Sequence, residues 1–124
     1  MEEKKKILLV DDDEMHLEIA ENLLKENYEI ITAKSGKEAI AMLIKGNTPH
    51  LILLDILMPN MDGLKTFNTL KGISLLKDVP IAFLTSVDGA DEKRQAQEMG
   101  ASDYITKPFK KEDLLKRIKK IIGE

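Results

Sequence analysis

Five short apolar runs alternate with five longer stretches of helical spacing, and this alternation constrains the fold more than any other feature of the chain. The runs lie at residues 7–10, 30–33, 51–54, 81–84 and 104–105. They are short and mostly rich in large or β-branched aliphatic side chains, which suits buried strands. Between them, Leu17, Ala20, Leu23 and Leu24 share one helical face, as do Ala39, Ile40, Leu43 and Ile44. Leu114, Leu115, Ile118, Ile121 and Ile122 make the clearest stripe. Weaker helical patterns follow Gly63, through Leu64, Phe67 and Leu70, and follow Gly89, through Ala96 and Met99. The boundaries agree. Ser35-Gly36-Lys37-Glu38 reads as a capping box. Asn27, Gly46, Gly72 and Gly100 stand where helices should stop, and Pro49 and Pro80 stand just before strands. The longest irregular stretch expected is 72–79.

An alternating order of strands and helices predicts an α/β fold with a parallel sheet and helices on both faces. Continuously apolar strands fit a sheet covered on both sides. With right-handed crossovers, the expected arrangement is a doubly wound (βα)5 sandwich of five parallel strands in the order 2-1-3-4-5. The 124 residues amount to one domain, here taken as 1–124 with no effector domain. The absence of Cys excludes a disulfide scaffold, a zinc ribbon and a thiol nucleophile. No apolar run approaches the ~20 residues that span a bilayer. The Met1-to-Lys6 start lacks the apolar core of a signal peptide, so a cytoplasmic location is expected. From Lys107 onward there are seven basic and three acidic residues, within a net charge of −3 overall. A solvated helix face explains that basic end better than an acidic partner does.

In doubly wound sheets, ligands bind beyond the carboxyl ends of the strands, where the winding reverses. There the first run ends in Asp11-Asp12-Asp13, the third in Asp55, the fourth in Thr85-Ser86 and the fifth in Thr106-Lys107-Pro108. The first and third strands are neighbours in the expected order, so Asp55 should share a pocket with one or two of the first acids. Two carboxylates ~4 Å apart repel by about 4 kcal/mol at an effective dielectric near 20. Such a cluster needs a cation or a proton. Hard oxygen donors suit Mg²⁺. An Asp carboxylate can act as a nucleophile toward phosphorus, a Lys can pair with a phosphoryl oxygen, and a Thr hydroxyl can donate to another. The constellation reads as a site that accepts a phosphoryl group. Asp13 is better explained as a helix N-cap. His16 and His50 show no partner spacing and are read as non-functional, and the Met residues as core filler.

The chain resembles a response-regulator receiver domain of two-component signalling, in the manner of stand-alone chemotaxis regulators. The matching pieces are Ile7-Leu8-Leu9-Val10-Asp11-Asp12, then Leu53-Leu54-Asp55-Ile56-Leu57-Met58-Pro59-Asn60-Met61-Asp62-Gly63, then Leu84-Thr85-Ser86, then Gly100 through Phe109. All four stand in order, and the resemblance spans essentially the whole chain. The resemblance implies a flavodoxin-like fold with Asp55 as phospho-acceptor, supplied by a histidine kinase or a phosphotransfer protein. It implies Mg²⁺ held by Asp11, Asp12, Asp55 and the backbone carbonyl of Leu57, and Lys107 paired with the phosphoryl group through a cis Lys107–Pro108 bond. Thr85 and Tyr104 resemble the switch pair. A downstream protein would read the face made by the fourth helix, fifth strand and fifth helix. Leu57 and Val87, both apolar, would flank the route of the hydrolytic water, so slow self-dephosphorylation is expected. A monomer is the default expectation, with a dimer on phosphorylation through that read-out face as the alternative, and the composition and short apolar runs predict no direct contact with nucleic acid or membrane. Two alternatives carry less weight: a phosphate-independent receiver-shaped binding module, and a haloacid-dehalogenase-type phosphatase. The latter would place its nucleophile on the first strand and leave Asp55 unexplained.

Overall fold

The computed structural model describes residues 3–58 and 61–124. Met1, Glu2, and Pro59 and Asn60 of the second matching piece lie outside the described residues. Five strands alternate with five helices: β1 (Lys6–Val10), α1 (Glu14–Leu24), β2 (Glu29–Ala33), α2 (Gly36–Ile44), β3 (Leu51–Leu54), α3 (Gly63–Lys71), β4 (Ile81–Thr85), α4 (Ala90–Met99), β5 (Tyr104–Thr106) and α5 (Lys111–Ile122). The strands form one sheet in the order β2-β1-β3-β4-β5, every pair parallel, as expected.

Side chains alternate across a strand, so a run apolar at every position feeds two cores at once. In β1, Leu8 and Val10 face one layer while Ile7 and Leu9 face the other. The first layer holds Ala39 and Leu43 of α2, Phe67 and Leu70 of α3, and Ala96 of α4. Phe67 stacks on Phe83 of β4 with centroids 5.5 Å apart. The second layer holds Leu17, Ala20 and Leu24 of α1 with Leu114 and Ile118 of α5. Each fully buried side chain of this size contributes roughly 1.5–3 kcal/mol.

Helix ends follow the local chemistry. Asp13 caps α1 by accepting from the Met15 and His16 amides at 2.9 and 3.3 Å, the role expected for it. Ser35 caps α2 by accepting from the Glu38 amide at 3.0 Å. Gly46 and Gly100 follow α2 and α4 with φ of +100° and +94°. The stretch 72–79 is less irregular than its sequence suggests: a 3-10 turn at Ser74–Leu76 drives Leu76 into the core. No helix of the described residues is long and apolar enough to cross a membrane.

Candidate functional site

The register of the sheet sets the site. Val10 of β1 pairs with Leu54 of β3, so Asp11 and Asp55 leave the sheet side by side. The Asp55 amide donates to the Val10 carbonyl at 2.9 Å and the Asp11 amide to the Ala33 carbonyl at 3.1 Å, fixing both at the strand ends. Thr85 pairs with Thr106 across β4 and β5, and the Lys107 amide donates to the Thr85 carbonyl at 2.8 Å. The four strand ends therefore deliver their polar residues to one edge of the sheet.

Asp11 and Asp55 are each only 6% exposed, and Thr85 is fully buried. Asp12 is exposed at the rim. One carboxylate oxygen from each of Asp11, Asp12 and Asp55 lies within 4.8 Å of the others. These are hard donors at a spacing that suits a small hard divalent cation, so the residues present fit Mg²⁺. The Asp55 carboxylate accepts from the Ile56 amide at 2.8 Å. Burial pushes its carboxyl above the ordinary carboxylate range and the Asp11 charge adds to this, while the Thr85 hydroxyl, the Lys107 ammonium and the Ile56 amide pull it down.

Lys107 follows β5, yet its ammonium crosses to Asp11 Oδ2 at 2.5 Å, with 13% of its side chain exposed. The Lys107–Pro108 bond is cis, as the resemblance implies. Asp11 Oδ1 accepts from the Asp13 amide at 3.0 Å. The Thr85 hydroxyl accepts from the Val87 amide at 3.2 Å, and the Tyr104 hydroxyl donates to the Val87 carbonyl at 2.6 Å. The Tyr104 ring is half-buried, 6.0 Å from Phe83. Leu57 projects its side chain into solvent, whereas Val87 is half-buried against the core.

One residue set aside on sequence grounds sits in the middle of this arrangement. His16 Nδ1 lies 3.0 Å from the Lys107 ammonium and 3.6 Å from Asp11 Oδ2. Its position in the first turn of α1, three residues after the Asp13 cap, was the available signal. What hid it is that its partner arrives from the far end of the sequence. His50 is structural, its Nδ1 accepting from the Lys6 amide at 2.9 Å. In the basic C-terminal segment, Arg117 bridges Asp103 at 3.1 Å and Asp113 at 3.0 Å.

Comparison with known proteins identifies this arrangement. Protein PilG of Pseudomonas aeruginosa is 39% identical over 115 residues, which are 92% of this chain and 84% of PilG. The alkaline phosphatase synthesis transcriptional regulatory protein PhoP of Bacillus subtilis is 38% identical over 119 residues, 95% of this chain but 48% of PhoP. The structure of the chemotaxis protein CheY4 of Vibrio cholerae matches with a TM-score of 0.88 at 31% identity, covering 95% of this chain and 98% of CheY4. The profile of the response regulator receiver domain matches residues 7–119, and the chain belongs to that family.

Proposed function

We propose that this receiver domain is a phosphorylation-dependent switch that takes a phosphoryl group onto Asp55. The observation that carries the reading is the buried Asp55 carboxylate, clustered with Asp11 and Asp12 while the Lys107 ammonium is engaged on Asp11. Asp11, Asp12, Asp55 and the Leu57 carbonyl would hold Mg²⁺. When bound, the ion supplies charge neutralisation for the phosphoryl oxygens.

The residues of the chain do the rest. An Asp55 oxygen attacks phosphorus, the bond to the donor's leaving atom breaks, and an acyl phosphate remains on Asp55. A histidine kinase or phosphotransfer protein is the donor. Lys107 pairs with one phosphoryl oxygen and the Thr85 hydroxyl donates to another. That takes Thr85 away from the Val87 amide, and Val87 is also the residue to which Tyr104 is fastened. The β4–α4 loop and Tyr104 then repack, and the face of α4, β5 and α5 changes for a downstream protein. A partner that prefers the changed face draws the population toward it.

The domain acts as a signalling acceptor that promotes its own phosphorylation and dephosphorylation, not as a turnover enzyme. Residues 1–124 act as one receiver unit, monomeric at rest, in the cytoplasm. The phosphatase alternative would place its nucleophile at the end of β1 and leaves the buried Asp55 without a role. The test is intact mass after incubation with acetyl phosphate, with and without Mg²⁺, for the wild type and Asp55→Asn. A single Mg²⁺-dependent phosphoryl adduct, absent from Asp55→Asn, is expected. No adduct with Mg²⁺ demonstrably bound would point instead to a module that signals by binding alone.

A further inference from the structure

We infer that His16 is a positioning residue for Lys107, holding its ammonium ready for an incoming phosphoryl oxygen. The inference rests on the reading of Lys107 as a phosphoryl ligand. An ammonium has three N–H donors and no acceptor. Among the described residues, two of its donors are engaged, one by Asp11 Oδ2 at 2.5 Å and one by His16 Nδ1 at 3.0 Å. The third is left for a phosphoryl oxygen. Because the ammonium only donates, the Nδ1 atom of His16 carries its lone pair and the ring proton sits on Nε2. That Nε2 faces Asp13 Oδ2 at 3.6 Å, where a carboxylate favours this tautomer. Asp13 is in turn fixed, since its other oxygen caps α1. A chain of contacts thus runs from the helix cap through the imidazole to the lysine.

The choice of residue has a physical reason. A carboxylate at position 16 would be a second one on the ammonium, beside Asp11, and would compete with the phosphoryl group for its charge. An apolar side chain would leave the second donor without an acceptor. Held by Asp11 alone among the described residues, the ammonium could then swing toward water in the open cleft of about 360 Å³ that His16 and Lys107 line with Ile19, Leu23 and Phe109. A neutral acceptor holds the ammonium on the site side of that cleft without reducing its charge.

The test compares His16→Phe, which keeps a ring without an acceptor, with His16→Asn, whose side-chain oxygen takes the place of Nδ1. With acetyl phosphate and saturating Mg²⁺, the initial rate of adduct formation should fall by about fivefold or more in His16→Phe, the rate equivalent of about 1 kcal/mol. His16→Asn should recover most of it. The side-chain nitrogen resonance of Lys107, followed by NMR in the resting protein, should be slow to exchange with water in the wild type and His16→Asn and be lost to exchange in His16→Phe. A phenylalanine variant with the wild-type rate, or an asparagine variant no better than it, overturns the inference. If the wild type itself forms no adduct, the phosphoryl reading fails. The lysine resonance then decides on its own, and an unchanged signal in His16→Phe overturns the positioning role.

Discussion

The Tyr104 hydroxyl donates to the Val87 carbonyl at 2.6 Å, so the ring at the start of β5 is fastened to the loop that leaves β4. The amide of the same Val87 donates to the Thr85 hydroxyl at 3.2 Å. One residue therefore joins the buried hydroxyl beside Asp55 to an aromatic ring on the far side of the loop. A change at Thr85 reaches Tyr104 through two hydrogen bonds, each worth about 1 kcal/mol net.

Tyr104→Ala should cut this connection and leave the acceptor chemistry intact. Adduct formation on Asp55 should persist, while the phosphorylation-induced amide shifts along α4, β5 and α5 shrink or vanish in NMR spectra. Shifts of wild-type size in the alanine variant would remove Tyr104 from the switch.

Leu57 and Val87 offer no polar group to a hydrolytic water, Leu57 being 62% exposed and Val87 half-buried. Leu57→Asn combined with Val87→Glu should speed loss of the phosphoryl group by about tenfold, equivalent to about 1.4 kcal/mol in the barrier. The decay of the adduct after removal of the donor measures this. An unchanged lifetime would mean that these positions do not orient the water.

Gly63 opens α3 directly against the backbone of the acceptor. A Cβ there would overlap the Asp55 carbonyl oxygen and lie 2.7 Å from the Ile56 Cα, with only backbone to give way. Gly63→Ala should destabilise the fold by about 1–3 kcal/mol, the range for overpacking. It should also slow phosphorylation by displacing Asp55. Urea unfolding and adduct kinetics test both, and a variant of normal stability would show that the α3 entry can shift freely.

Tyr28 ties the end of the chain to the core: it is buried, and its hydroxyl donates to Glu124 Oε1 at 2.9 Å. Burial, the hydrogen bond to Glu124 and the charge of Glu124 all raise its ionisation above the ordinary tyrosine value. The folded state thus keeps a proton that the unfolded chain releases near pH 10. The contribution is fully present below that pH and falls as pH rises toward the folded-state ionisation. Tyr104 is shifted the same way by burial and by Glu92, Asp88 and Asp55. The urea midpoint should fall as pH rises past about 10, and fall less in Tyr28→Phe. An equal fall in both proteins would contradict this role for Tyr28.

The sheet order was legible because the central strands β1, β3 and β4 are apolar almost throughout, a pattern that belongs to a sheet covered on both faces. Once β1 and β3 are neighbours, the meeting of Asp11 with Asp55 follows from register alone. Helix α4 was faint because only Ala96 along it is buried, so almost no apolar stripe is written into it. The 3-10 turn after α3 was hidden because a single side chain, Leu76, anchors it. The Thr85–Val87–Tyr104 link runs through the backbone N–H and C=O of Val87, which residue type does not reveal. The role of His16 escaped because the contact needs Lys107 to cross the site toward α1, and no local spacing records that reach.

Asp55 is proposed as the residue that carries the phosphoryl group. An acyl phosphate is reduced by borohydride to the alcohol, whereas a free carboxylate is not. Treating the phosphorylated protein with borohydride and mapping its peptides by mass should find homoserine at position 55, only when Mg²⁺ was present. Homoserine at another position, or reduction without Mg²⁺, would contradict the account.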